Sequence, residues 1–336
     1  MPYLEANGVA CTYAAFEDEA LHELIYTEGH YLRKAGAMLR ALGRRLSLTR
    51  RAREFDAVFL FEEAARLGPA ILERALRWLG LPMVYDFCDP IYLPYRSPRN
   101  HHLSRLKCFG KTASICRLAD HVTVGNEALA DYARRHNPNV TVIPITIDTR
   151  TYRTRRLVAT SDGPPVIGWS GSHSTLPHLD TLRPVLQELS RRRSFRLLVV
   201  GSPEYRIEGV ECSSRDWSSG RELQDLHEMD IGIMPLPSDP WTSLRSHLKV
   251  RQYMGVGLPS VVSPVGVNRA LIQQGVDGYL AASEDEWLSC LTRLLDHAEL
   301  RREMGSKARA TIEKCCSSEI WAGKLLQILN RVVARA

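Results

Sequence analysis

Short, wholly apolar runs separated by stretches of helical period recur along nearly the whole chain, and this alternation constrains the fold more than any other feature. Ala57-Val58-Phe59-Leu60-Phe61, Met83-Val84-Tyr85, Val122-Thr123-Val124 and Val140-Thr141-Val142-Ile143 read as buried strands in the first half. Val166-Ile167-Gly168-Trp169, Leu197-Leu198-Val199-Val200, Ile231-Gly232-Ile233-Met234 and Ser260-Val261-Val262 continue the pattern in the second. Helices are predicted between them, for example over 179–191 and 286–295. Runs that are apolar on both faces need cover on both faces, which helices flanking a parallel sheet supply. The predicted class is α/β.

A chain of 336 residues exceeds what one core usually holds, so two domains of roughly 150 residues are expected. From Asp148 to Pro165 the sequence carries Thr151, Arg153, Arg155, Arg156, Ser161, Asp162, Gly163 and two prolines without a sustained period, and it reads as a linker. The expected organisation is a first domain over 1–148, a second over 149–316, and a C-terminal segment over 317–336. The helix of that segment, 319–333, is long enough to pack back on the first domain. Two doubly wound, Rossmann-like domains facing each other would leave a cleft at the carboxyl ends of their strands, where such sheets bind ligands. The fold does not say which ligand.

A hydrophobic fraction of 44% with 24% charged residues is that of an ordinary soluble protein. The net charge of +6 is unevenly placed. Residues 33–53 contain Arg33, Lys34, Arg40, Arg44, Arg45, Arg50, Arg51 and Arg53 with no acidic residue, and Leu32, Leu39, Leu42 and Leu46 recur at roughly helical spacing. A basic amphipathic helix of this kind can lie on an anionic membrane or meet an anionic acceptor, although a plain solvated face has the same composition. The eight cysteines form no C-x-x-C pair, and adjacent Cys315 and Cys316 cannot make an ordinary zinc knuckle. Free thiols in a reducing cytoplasm are expected. No apolar run approaches the ~20 residues that span a bilayer, so any membrane contact would be peripheral. Nothing in the charge pattern is assigned to nucleic acid.

Two segments carry chemistry. Val166-Ile167-Gly168-Trp169-Ser170-Gly171-Ser172-His173 is a strand running into a small-residue turn, where Gly171 and Ser172 could bring backbone N–H groups close to an anion. It is neither a P-loop nor a hydrolase elbow. The more specific segment is 231–268. After Met234-Pro235-Leu236-Pro237 and Asp239-Pro240-Trp241 a helix is predicted to carry Arg245, Lys249 and Gln252, followed by Gly257-Leu258-Pro259 and the turn Pro264-Val265-Gly266-Val267-Asn268. Four-residue spacing would put Arg245 and Lys249 on one helix face, a bed for a diphosphate, with Gln252 near a ribose. Ordinary surface charges would have the same spacing.

Met234-Pro235-Leu236, Trp241, Lys249, Gln252-Tyr253-Met254, Gly257-Leu258-Pro259 and Ser263-Pro264-Val265-Gly266-Val267-Asn268 together resemble the donor site of glycosyltransferase family 4. Gly275-Val276-Asp277-Gly278, Trp287 and the stretch 301–309 continue the resemblance. Phe55-Asp56-Ala57-Val58, Tyr85-Asp86-Phe87, Asp89, Thr123-Val124-Gly125-Asn126 and Ile143-Pro144 extend it through the first half. The resemblance implies a GT-B fold, retention of anomeric configuration, and no metal or cofactor, the donor substrate being a nucleotide diphosphate sugar. It implies that Arg245, Lys249, Gly171 and Ser172 meet charge on the leaving diphosphate. His173, Trp217, Gln252, Val267 and Asn268 would complete the donor site, Trp217 at the base unless it is a core tryptophan. Asp86 and Asp89 would bond acceptor or donor-sugar hydroxyls, or simply form a turn.

Three departures stand out. Where many members carry Glu-x(7)-Glu, this chain has Leu244 and Gln252; where many have His-Asp after the fourth strand, it reads Asp86-Phe87-Cys88-Asp89. Met1-Pro2-Tyr3-Leu4 resembles the family's first helix, so the first domain is expected to lack its usual first strand, either because the start is assigned late or because the domain is rebuilt. The expected function is retaining glycosyl transfer to an unidentified acceptor: a small molecule, a glycan or a lipid-linked chain. The alternative is a catalytically degenerate relative that binds nucleotide sugar or a partner. An epimerase or hydrolase would be expected to show paired carboxylates and a histidine, which are not evident.

Overall fold

Each apolar run forms a strand in the computed structural model, which describes residues 2–27, 29–65, 68–94, 108–154 and 163–335. Residues 155–162 of the expected linker lie outside these residues, as does the side chain of His173. The chain divides into two units, Met1–Pro144 with Ala322–Ala336, and Ile145–Trp321.

The first unit holds a parallel sheet of β1 (Val58–Phe61), β2 (Met83–Phe87), β3 (His121–Val124) and β4 (Val140–Val142), in the order β1-β2-β3-β4. Among the described residues β1 is an edge, and Phe61 is exposed there. Val84, Tyr85 and Phe87 of β2 are fully buried, and Val84 packs against Ile328 and Val332 of the C-terminal helix Ser318–Val333. A buried ion pair, Lys111 Nζ to Glu73 Oε1 at 3.2 Å with both side chains 1% exposed, ties down the segment after β1. Lys111 also donates to the Ala65 carbonyl at 2.6 Å, and the Ala64 N–H donates to Glu73 at 3.1 Å. The basic stretch is a helix, Tyr31–Arg50, which buries Ala37, Ala41 and Thr49 and leaves Leu32, Leu39 and Leu46 in solvent.

The second unit holds β5 (Val166–Ser170), β6 (Arg196–Val200), β7 (Cys212–Arg215), β8 (Ile231–Met234), β9 (Ser260–Val262) and β10 (Tyr279–Leu280). All pairings are parallel, in the order β10-β9-β8-β5-β6-β7. The order turns back at β5, between β6 and β8, so the carboxyl end of β5 is a topological switch point. Sequence patterning misses β7 and β10 because both are sheet edges: β7 is Cys-Ser-Ser-Arg and β10 only two residues, and an edge needs no continuous apolar run.

The helix expected over 179–191 is two helices, Leu176–Asp180 and Arg183–Arg192. Pro184 is the cause: it lacks an N–H and fits only in a first helical turn, so the second helix restarts around it. Leu179, Leu186 and Leu189 still reach the core with Ile167 and Leu197. The unit boundary falls at Ile145, slightly before the expected edge at Asp148. Ile147 pairs with the far end of the second unit (Ile147 N–H to the Cys316 carbonyl, 2.8 Å; Ser318 N–H to the Ile147 carbonyl, 3.0 Å), and Arg309 donates to the carbonyls of Thr149 and Tyr152.

Candidate functional site

The turn at the switch point is tighter than expected. The Gly171 N–H is taken by the Val200 carbonyl at 3.0 Å and the Ser172 N–H by Thr175 Oγ1 at 3.0 Å, so neither is presented to an anion. The Ser172 hydroxyl pairs with Ser174 at 2.8 Å. Glycine at 171 is required by packing: a Cβ would sit 2.2 Å from the Trp169 ring. At Gly201, φ is +105° and a Cβ would lie 1.8 Å from the Gly171 carbonyl oxygen, so the turns after β5 and β6 touch backbone to backbone. His173 opens a 3-10 turn, His173–Thr175.

Arg245 and Lys249 do not share a helix. Arg245 ends the helix Pro240–Leu244 in extended conformation (ψ 157°), and the next helix, Leu248–Gly255, begins after His247 at φ 46°. The spacing argument fails because tertiary contacts hold the break. Buried His247 sets one ring nitrogen 2.9 Å from the Asn268 amide oxygen and the other 2.9 Å from the Thr242 carbonyl, and Arg251 donates to the carbonyls of Ser246 and His247. Burial, with Arg245 and Arg251 nearby, lowers the His247 pKa despite these bonds. Asn268 is itself fully buried and donates to the Ser263 carbonyl at 3.0 Å; it braces the loop from beneath. Half-buried Val267 caps the short helix Asn268–Leu271.

Lys249, in the first turn of its helix, faces a carboxylate that sequence reasoning missed. Its Nζ lies 3.8 Å from Glu222 Oε1. The same carboxylate accepts from Trp217 Nε1 at 2.9 Å and from the Tyr152 hydroxyl at 2.5 Å, while Gln252 Nε2 donates to Tyr152 at 2.9 Å. Burial alone would raise the Glu222 pKa, but the bonds from Tyr152 and Trp217 and the Lys249 charge carry it below the ordinary value. Burial lowers the Lys249 pKa against the opposing pull of Glu222. Burial and Glu222 push the Tyr152 hydroxyl up to about 12, which keeps it a donor. Trp217 is 48% exposed and so is not a core side chain, whereas Gln252 is 2% exposed; its amide oxygen has no hydrogen-bond partner among the described residues. An indole N–H and an ammonium thus both meet one ionised carboxylate.

Asp86 and Asp89 belong to the first unit. Asp86 sits in β2, accepts from Thr123 Oγ1 at 2.5 Å, and is raised to about 6, by burial first and with Thr123 opposing. Asp89 follows in a bend and its carbonyl accepts from the Ile91 N–H. A half-buried carboxyl whose pKa is raised, near a strand's carboxyl end, is suited to proton exchange or hydroxyl binding.

Two Rossmann-like units, each a parallel sheet covered by helices, define the GT-B class of architecture. Residues 164–297 match the family model described as glycosyl transferases group 1. The chain resembles in fold sucrose-phosphate synthase from Thermosynechococcus elongatus, at 12% identity and TM-score 0.64, covering 88% of this chain and 79% of that one. HepE of Anabaena in complex with UDP matches at 14% identity and TM-score 0.62, with 86% and 82% covered. A glycosyltransferase from Rickettsia africae matches at 12% identity and TM-score 0.61, with 87% and 81% covered. No curated protein matches the sequence. The group 1 match and the two-sheet fold together support a glycosyltransferase.

Proposed function

We propose that this chain transfers a glycosyl group from a nucleotide diphosphate sugar, bound by the Ile145–Trp321 unit, to a glycan or lipid-linked acceptor, with retention and without a metal. The contacts of Glu222 with Trp217 on one hand and Lys249 on the other carry this reading, because a nucleoside diphosphate likewise has its diol between a base and phosphates. The indole face suits the base. Glu222 keeps acceptor capacity for ribose hydroxyls after its bonds to Tyr152 and Trp217, a carboxylate having about four lone-pair sites. Lys249 and Arg245, beside the N–H groups that open the Leu248–Gly255 helix, would offset charge on the departing diphosphate in place of a metal. Glu222 would thereby do from another helix what Gln252 cannot do as a neutral amide.

The solved HepE–UDP complex lends weight to a uridine diphosphate donor. Asp86 is the candidate for hydroxyl or proton contact in the other unit. The decisive assay incubates the protein with UDP- and GDP-sugars plus a lipid extract and measures release of free nucleoside diphosphate. Binding without release from any donor would favour the non-catalytic alternative, and no binding would end the proposal.

The Tyr31–Arg50 helix suits a peripheral stand on an anionic bilayer. Leu32, Leu39 and Leu46, 91%, 68% and 46% exposed, repeat every seventh residue opposite the buried alanines, with arginines between them. No helix among the described residues is long and apolar enough to cross a membrane. Co-sedimentation with phosphatidylglycerol vesicles tests this; binding should fall as salt rises, and a lack of binding at low salt would dismiss it.

A further inference from the structure

At the amino ends of β3 and β4 the first unit holds a cavity of about 240 Å³, several times the roughly 30 Å³ share of one water. Sheets of this kind take their substrates at the carboxyl ends of the strands, so the cavity lies at the opposite end of the sheet. Its walls are fixed by buried Asn137, whose amide donates to the carbonyls of Cys116 and Ala119, both at 2.7 Å. These two residues flank Arg117. Asn139 returns the favour of rigidity, its N–H bonding Asn137 Oδ1 at 2.8 Å and its amide the Asp120 carbonyl at 3.1 Å.

Five basic side chains line the cavity: Arg117, His121, His136, Arg331 and Arg335. The one acid in the lining, Asp120, is engaged elsewhere. Its carboxylate accepts from Arg77 at 2.8 and 3.0 Å and from the Met83 N–H at 2.9 Å. Arg117, Arg331 and Arg335 have no carboxylate partner among the described residues. Arg117 donates to His136 Nδ1 at 3.2 Å, and a guanidinium can only donate, so the neutral ring carries its proton on Nε2. His121 Nε2 lies 2.9 Å from Thr141 Oγ1. Both rings register the excess of positive charge. Burial, then Arg331, Arg335 and Lys324, lower the His121 pKa; burial, then Arg117 and Arg135, lower that of His136.

Helix dipoles do not balance this charge. The helices Lys111–Leu118 and Ser318–Val333 both end here, and each end supplies about half a negative charge against three full positive ones. About two positive charges remain. Arg331 and Arg335 are also four residues apart, a spacing at which like charges repel along a helix.

We propose that this cavity is a binding site for a dianionic phosphate group, held by Arg117, Arg331 and Arg335 with His136 Nε2–H as a further donor. The forked N–H groups of arginine match phosphate oxygens in pairs, and a dianion matches the residual charge. A phosphate bound here joins the C-terminal helix to the segments ahead of β3 and β4 through one ligand. It thereby reinforces the packing of Ile328 and Val332 on Val84.

The test titrates the full chain with inorganic phosphate by calorimetry, against chloride at equal ionic strength. Phosphate should bind with a dissociation constant below about 1 mM, and the amides of 136, 137, 139 and 331–335 should exchange hydrogen more slowly in its presence. Arg331 and Arg335 are exposed, so both can be changed without emptying a core position. In the double variant Arg331→Gln, Arg335→Gln, phosphate affinity should fall at least about tenfold and the protection should vanish, while UDP binds as in the wild type. No binding at that concentration, or affinity retained in the double variant, would overturn the site. A parallel loss of UDP affinity would overturn it too, because both anions would then share one site. Vesicles separate two sources of the phosphate group. A preference for phosphatidic acid, a monoester, over phosphatidylglycerol, a diester, that the double variant loses assigns it to a lipid head. Equal binding of the two vesicles, with phosphate affinity intact, assigns it to a soluble phosphate ester. UDP affinity in the wild type decides the donor assignment separately.

Discussion

Trp217 donates its indole N–H to Glu222 at 2.9 Å, and this bond joins an exposed aromatic ring to the carboxylate that faces Lys249. The Tyr152 hydroxyl, which also donates to Glu222, is tied to Gln252, so the carboxylate is held from two sides before any ligand arrives. Ligand hydroxyls meeting an acceptor already fixed in place lose less to ordering.

If Glu222 accepts ribose hydroxyls, UDP should bind about tenfold more tightly than 2′-deoxy-UDP, the worth of one hydrogen bond to a charged group. Glu222→Gln should weaken UDP by a similar factor and erase the preference. Calorimetry with both nucleotides checks it; equal affinities in the wild type would remove Glu222 from the ribose while leaving the diphosphate assignment standing.

Lys249→Ala should cost about ten- to a hundredfold in nucleoside diphosphate affinity, from loss of a partly desolvated charge contact. Arg245→Ala should cost less, because Arg245 lies outside the helix that carries Lys249 and Gln252. The same titrations would measure both, and unchanged affinity in both variants would dismiss the phosphate bed.

Asp86 should titrate near 6 rather than at the ordinary 3.8. Its folded value lies above the unfolded one, so the folded chain holds the extra proton more tightly. The resulting stabilisation is complete below the unfolded value and is lost as pH rises through the folded one. Thr123→Val removes the bond that favours the anion and should move the midpoint higher. Carboxyl-carbon NMR against pH would read both; a midpoint below 4.5 in the wild type would refute the burial argument.

Lys111→Met should destabilise the protein by about 3–5 kcal/mol in urea unfolding, because it strands the Glu73 carboxylate in a dry site. Glu73→Leu added to it should recover much of that loss, since replacing both charges leaves nothing unpaired. No recovery would mean that the bonds to Ala64 and Ala65, rather than the charges, dominate.

The strand cores were legible because burial on both faces demands unbroken apolar runs, as in Val166–Ser170 and Ile231–Met234. Edges β7 and β10, freed from that demand, left no such mark. In the site, Lys249, Gln252 and Trp217 were legible from residue type and motif. Glu222 and Tyr152 were not: Glu222 is one acidic residue in Glu222–Glu228, a helix with several, and Tyr152 lies seventy positions away. The expected helical link between Arg245 and Lys249 failed for a related reason, since a left-handed His247 is stable only with Asn268 and the Thr242 carbonyl at its ring.

Periodicity and local residue type are enough for the α/β class, two parallel sheets and the stretch that carries the candidate site. Which charges meet depends on the tertiary packing. It turned the N–H groups of Gly171 and Ser172 inward, broke the helix ahead of Lys249, set Asp86 against Thr123, and brought Glu222, Tyr152 and Trp217 to one point. Contacts between distant segments depend on how helices are set against a sheet, and a local pattern holds no information about a partner seventy residues away.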